Sequence, residues 1–211
     1  MPKLVVSTFL TLDGVMQAPG GPEEDPSGGF THGGWSVNYW DGRMGEIMGG
    51  YLGRPFDLLL GRKTYEIFAA YWPHSTEPGA DALNNAKKHV ASRTLKSADW
   101  NNSVLIKGDV AKYVAELKKS NGPEIQVHGS GDLIQTLLKN DLVDEFHVWT
   151  FPVVLGTGKR LFADGAIPAG LKATSVIPSS TGVVITAYER AGEIKFGSFA
   201  PSPEEQRVGS R

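Results

Sequence analysis

Cysteine is absent from the 211 residues, and with it go disulfide frameworks, thiolate nucleophiles and zinc–thiolate centres. No block of like charge exists either. The 21 basic and 23 acidic side chains leave a formal charge of −2, so nothing supports a counterion-release grip on nucleic acid. A small-molecule partner fits better. Long apolar runs are also missing: the stretch Lys3-Leu4-Val5-Val6-Ser7 meets Asp13 well before a membrane-spanning length, and no small-residue cleavage site follows it. These features predict a cytoplasmic chain, in which the triplet Asn101-Asn102-Ser103 carries no glycosylation meaning. His32, His74, His89, His128 and His147 show no paired helical spacing, so no metal site is expected.

What the chain does contain is alternation. Lys3 to Leu12 is β-branched and apolar and stops at Asp13-Gly14, a first strand running into a turn. Residues 18 to 34 carry Pro, Gly and acids with almost no large apolar residue, the composition of a long surface loop or lid. Ser36 to Tyr51 reads as a helix, capped by Ser36, with Trp40, Met44, Ile47, Met48 and Tyr51 on one face. Strands are predicted over Asp57–Leu60, Lys88–Arg93, Ser103–Lys107, Glu124–His128 and Glu145–Val153. Helices are predicted over Lys63–Tyr71, Asp81–Lys87, Asp109–Ser120 and Asp132–Lys139. Leu171–Ile177 and Gly182–Arg190 form a closing antiparallel pair. The expected fold is therefore α/β, a mostly parallel central sheet with an antiparallel C-terminal edge. One domain over residues 1–195 is expected, and the Pro-, Ser- and charge-rich remainder, 196–211, is expected to be a flexible tail.

In such a sheet ligands bind beyond the carboxyl ends of the strands. Three strand ends carry suitable chemistry: Gly61-Arg62-Lys63-Thr64, Ser92-Arg93-Thr94 and Gly129-Ser130-Gly131-Asp132. The first and third each open a helix, where free N–H groups and the helix dipole can hold a pyrophosphate. Arg62, Lys63 and Arg93 add cations suited to an extra ribose phosphate. Gly129-Ser130-Gly131 is only part of a dinucleotide fingerprint, since no third glycine follows at the right distance.

The order Thr11-Leu12-Asp13-Gly14, Leu60-Gly61-Arg62-Lys63-Thr64-Tyr65, Ser92-Arg93-Thr94 and Gly129-Ser130-Gly131-Asp132-Leu133 resembles the dihydrofolate reductase superfamily. The later blocks, Leu142-Val143-Asp144-Glu145-Phe146, Phe151-Pro152-Val153-Val154-Leu155-Gly156-Thr157-Gly158 and Leu161-Phe162, are closer to the reductase domain of riboflavin biosynthesis. The resemblance spans about residues 3 to 190. It implies a dihydrofolate-reductase-like three-layer fold, NADPH as hydride donor, and a homodimer. It assigns Gly61, Arg62, Lys63 and Thr64 to the cofactor phosphates, Ser92 and Arg93 to the adenosine 2′-phosphate, and Gly129, Ser130, Gly131, Asp132 and Leu133 to the pyrophosphate.

On the substrate side, hydride transfer to a C=N bond needs a proton delivered to nitrogen by a carboxyl or an ordered water. Asp13 and Asp41 are the candidates for that role, and Gln17 and Trp35, which bracket the loop, are candidate substrate contacts. Trp35, Trp40 and Trp72 are flat enough to stack on a heterocycle, although aromatics also pack in cores. The zinc-ligand deaminase domain that usually accompanies the riboflavin reductases has no counterpart in these residues. The expected function is NADPH-dependent reduction of a pterin-like or aminopyrimidine-like compound. The other reading is an NADP(H)-binding protein without turnover, acting as a sensor.

Overall fold

A computed structural model describes residues 1–162 and 166–199. The alternation read from the sequence becomes eight strands and five helices: β1 (Leu4–Thr11), α1 (Gly42–Leu52), β2 (Phe56–Gly61), α2 (Arg62–Tyr71), α3 (Ala80–Asn85), β3 (Lys87–Ala91), β4 (Ser103–Leu105), α4 (Val110–Leu117), β5 (Glu124–His128), α5 (Gly131–Lys139), β6 (Glu145–Phe151), β7 (Leu171–Pro178) and β8 (Val184–Arg190). They form one sheet of order β4-β3-β2-β5-β1-β6-β8-β7. The pairs from β4 to β6 are parallel, and β8 joins β6 and β7 antiparallel. The expected mixed sheet with an antiparallel edge is what the chain builds. Residues 200–211 of the expected tail lie outside the described residues.

Period-two alternation sends neighbouring side chains to opposite faces. Leu59, Ile125, Val127, Leu4 and Val6 point to the face covered by α4 and α5, where Val114, Ile134 and Leu137 meet them in one apolar cluster. Leu58 and Leu60 point the other way, under α2 and α3 with Tyr65 and Leu83. Farther along that second face, Trp149, Phe151 and Ile185 pack against Met44 of α1. The second face thus has two separate apolar covers. Between them, over β5 and β1, the sheet presents Ser7 and its registered partner His128, together with Gln126 and His147. The end of α1 covers part of this strip, with the Tyr51 ring stacked on His147 at 4.4 Å and the Tyr51 carbonyl accepting from Gln126, while Ser7 and His128 are left as the floor of a cleft.

Two sequence expectations are corrected here. The helix expected from Ser36 begins only at Gly42, after a short 3-10 turn over Val37–Tyr39. Its cap is Asp41, whose carboxylate accepts from the Met44 N–H at 2.8 Å, while the Ser36 hydroxyl donates to the Pro19 carbonyl. Trp40 belongs to the apolar pattern because its ring stacks on Trp149 at 5.9 Å from an extended backbone. Residues 18 to 34 are an organised loop with a small core of their own: Val15, Ala18 and Phe30 are buried together beside Trp35 and Leu155.

Candidate active site

A cleft of about 770 Å³ opens above the polar strip, within the size range of small-molecule sites. β5 stops at His128 while β1 runs on to Thr11, so the sheet leaves a notch there. Its floor is Ser7, Thr8, Phe9 and His128. Trp40, Met48 and Leu52 wall the side of α1, and Ile67, Phe68, Tyr71 and Trp72 the side of α2.

At one end of the notch the two glycine corners meet. The Gly61 N–H donates to the Ser130 hydroxyl at 2.8 Å, and that hydroxyl donates to Thr64 Oγ1 at 2.9 Å. A Cβ on Gly61 would stand 3.1 Å from the Ser130 Cβ, so glycine is what lets the two corners close up. Ser130 holds a left-handed backbone, φ 70° and ψ 59°, an unusual position for a residue with a side chain. Neither α2 nor α5 has a side-chain cap, whereas α1 and α4 are capped by Asp41 and Asp109. The first-turn N–H groups of α2 and α5 are left without a side-chain acceptor at the cleft, as an anion site requires. Thr64 Oγ1 accepts from Ser130, which leaves its own proton to donate outward. With Lys63 and the N–H groups from Gly129 to Leu133, this donor set fits a pyrophosphate.

Of the residues singled out from the sequence, Gln17, Gly61, Lys63, Thr64, Gly129, Ser130, Gly131, Asp132 and Leu133 line the cleft. The others do not. Arg62 points away and pairs with Glu66 one turn along the exposed side of α2. Ser92 closes the turn after β3, accepting from the N–H groups of Thr94 and Leu95, and Arg93 is exposed beside it. The cause is strand order, since β2 lies between β3 and the β5–β1 notch.

Asp13 and Asp41 are placed elsewhere too. The Asp13 carboxylate accepts from the Thr11 hydroxyl at 2.6 Å and from the N–H groups of Leu155 and Gly156. The Thr11 bond is the main cause of a pKa lowered to about 2, the two backbone bonds adding to it against burial. A carboxylate so tightly held ties two loops together and is no proton donor near neutrality. Asp41 caps α1 and also binds the N–H and hydroxyl of Ser180. Trp35 sends its indole N–H to the Gln17 carbonyl and packs edge-on against Phe151, which makes it part of the loop's support.

Composition hid several lining groups. Lys159, on the loop after β6, reaches the cleft, as do the loop carboxylates Glu24 and Asp25. Glu24 accepts from the Gly20 N–H at 2.6 Å, and burial raises its pKa. His128 is held neutral, its pKa lowered to about 4 by burial and by His147. Its Nε2 donates to the Gln126 side-chain oxygen at 2.9 Å, so Nδ1 is the ring's acceptor. Nothing in local spacing marks Lys159 or Glu24, since both are brought in by loops folding back over the sheet.

The RibD C-terminal domain family matches residues 2–185. The uncharacterized protein YyaP of Bacillus subtilis (strain 168) is 30% identical over 199 residues, covering 90% of this chain and 96% of that one. Among solved structures, a putative riboflavin biosynthesis protein from Shewanella sp. superposes with a TM-score of 0.61 at 22% identity, over 89% of this chain and 98% of that one. A pyrimidine reductase-like protein from Corynebacterium diphtheriae gives 0.62 at 12%, over 92% and 93%. Dihydrofolate reductase from Enterococcus faecalis, complexed with NADP(H), gives 0.56 at 15%, over 90% and 96%. The three-layer fold is that of dihydrofolate reductase. The chain belongs to the RibD C-terminal domain family, a family of reductase type.

Proposed function

We propose that the protein is an NADPH-dependent reductase of a small flat heterocycle, pterin-like or aminopyrimidine-like, acting in the cytoplasm as a homodimer. One observation carries this reading: a single cleft joins two uncapped helix N-termini, locked side by side through Ser130, to an aromatic chamber over a polar floor. Gly61, Lys63, Thr64 and the segment Gly129 to Leu133 would hold the cofactor's pyrophosphate. The cofactor, when bound, supplies the hydride. Trp40 and Phe68 would clamp the planar substrate from opposite walls, excluding water from the reacting face.

The proton falls to Glu24 in this reading. Among the carboxylates that line the cleft, Asp25 is ion-paired with two lysines, Glu77 accepts from the exposed Tyr71 hydroxyl, and Asp132 is exposed. Among the described residues Glu24 has no ion-pair partner, and burial raises its pKa, the direction that favours a carboxyl as proton donor to a substrate nitrogen. The exposed edge strand β7, with Leu171 and Val176 turned to solvent, supports a dimer surface.

The test is spectrophotometric, with dihydrofolate and an aminopyrimidine as separate acceptors. NADPH should quench the tryptophan fluorescence, and its absorbance should fall when the right acceptor is added. Glu24→Gln should keep the quenching and lower turnover by roughly 10² to 10⁴-fold, removing the fall in rate on the alkaline side of the pH–rate profile. Quenching without oxidation by any acceptor would favour a sensor instead.

A further inference from the structure

The loop over the cleft carries its own anion into the lysine pair that a phosphate would use. Asp25 Oδ1 accepts from Lys63 Nζ at 2.8 Å, and Oδ2 accepts from Lys159 Nζ at 2.6 Å. Lys159 also donates to the Ser27 hydroxyl at 2.9 Å, which itself donates to Asp25 Oδ1 at 2.6 Å. Lys63 is in the first turn of α2 and Lys159 on the loop after β6, so two distant parts of the chain converge on one carboxylate. The Asp25 side chain is only 14% exposed, while the lysines remain nearly half exposed, at 49% and 43%. All three residues line the cleft.

A phosphate cannot join the two ammonium groups while Asp25 stays, because like charges in contact repel. The loop has further ties that do not involve the carboxylate, so its departure loosens the loop without releasing it from the sheet. The Gln17 amide donates to the backbone carbonyls of Asp25 and Ser27, both at 2.9 Å, and its oxygen accepts from the Lys159 N–H. These bonds hold the main chain at Asp25 and Ser27, so that a carboxylate that has lost the two lysines keeps only the Ser27 N–H and hydroxyl, at 3.3 and 2.6 Å. We infer that Asp25 stands in for a ligand phosphate in the ligand-free protein, and that binding transfers Lys63 and Lys159 from Asp25 to that phosphate and loosens the loop over the cleft. The anion is a phosphate or diphosphate ester, belonging either to the cofactor or to a phosphorylated substrate. The inference rests on the reading of the glycine corners as a phosphate site.

Titration calorimetry with inorganic pyrophosphate tests the exchange without turnover. Asp25→Asn keeps the shape and removes the competing charge, so affinity for pyrophosphate should rise about three- to tenfold, in keeping with two part-exposed ion pairs. Lys159→Gln should lower it by a similar factor. A Glu-specific protease reports the loop: pyrophosphate should speed cleavage at Glu23 in the parent protein, and Asp25→Asn should be cut fast without it. Equal or weaker binding by Asp25→Asn, or protection of Glu23 by pyrophosphate, would overturn the exchange and leave the phosphate corners standing. No binding by either protein would remove both. Separate titrations with NADPH and a simple sugar phosphate assign the anion to whichever gains from Asp25→Asn.

Discussion

Four of the protein's helices start in two contrasting ways, and the short α3 starts uncapped at Gly79, away from the two glycine corners. α1 and α4 begin under aspartate caps, Asp41 and Asp109, each taking the N–H three residues on. α2 and α5 begin at Gly61 and Ser130 with no side-chain cap, and they are the helices whose starts meet in the cleft. A cap satisfies an orphan donor at once, typically worth about 1 kcal/mol. Leaving two starts uncapped side by side forgoes that stability and leaves their N–H groups open to a ligand. The lesson is that local stability and ligand binding compete for the same N–H groups, and the fold settles the matter differently at each helix.

The largest effect that could break this contrast is at Gly61. A valine there would drive its Cβ into Ser130, which cannot retreat without losing bonds to both Gly61 and Thr64. Overpacking of this kind typically costs about 1–3 kcal/mol. Gly61→Val should therefore lower the urea midpoint and abolish stabilisation by pyrophosphate. Retained stabilisation would show that the uncapped starts are not the anion site.

An effect of intermediate size comes from the strip between the two covers. His128 has a folded-state pKa of about 4, below the ordinary 6.5. On acidification the unfolded chain takes up the proton first. Stability is thus whole above about pH 6.5 and is lost as pH falls towards 4, with a limiting slope of about 1.4 kcal/mol per pH unit for one proton. His89 and His147 are shifted in the same direction by burial. Thermal melts of the parent should show this slope and His128→Gln a flatter one; identical slopes would mean that His128 is not held neutral by the fold.

The smallest effect sharpens the comparison from the capped side. Asp41→Ala should cost about 1 kcal/mol through the lost cap, read as a lower melting temperature. Pyrophosphate binding should not change, because Asp41 lies away from the cleft.

The two glycine corners were legible because their chemistry is contiguous. Gly61-Arg62-Lys63-Thr64 and Gly129-Ser130-Gly131 each combine an apolar strand, a glycine turn and a helix start within a few residues. The same adjacency says nothing of the side Arg62 faces, and its guanidinium pairs with Glu66 outside the cleft. Ser92-Arg93 lie outside the cleft for a topological reason, because β2 separates their strand from the notch. Asp13 and Asp41 were read as reactive acids because a carboxylate near a turn or a helix start looks the same whether its neighbours are ligand or backbone. Their partners, Leu155, Gly156 and Ser180, are far away in sequence.

The amino-acid order by itself determined the strands, the helices and the two glycine corners, since periodicity and turn chemistry act within a few residues of one another. Only the tertiary structure decided that β5 stops short beside β1, that Ser130 links the corners, and that Glu24, Asp25 and Lys159 share the cleft. Those facts depend on strand order and on loops folding back over the sheet. Their energies come from contacts between distant segments, which no local window of sequence contains.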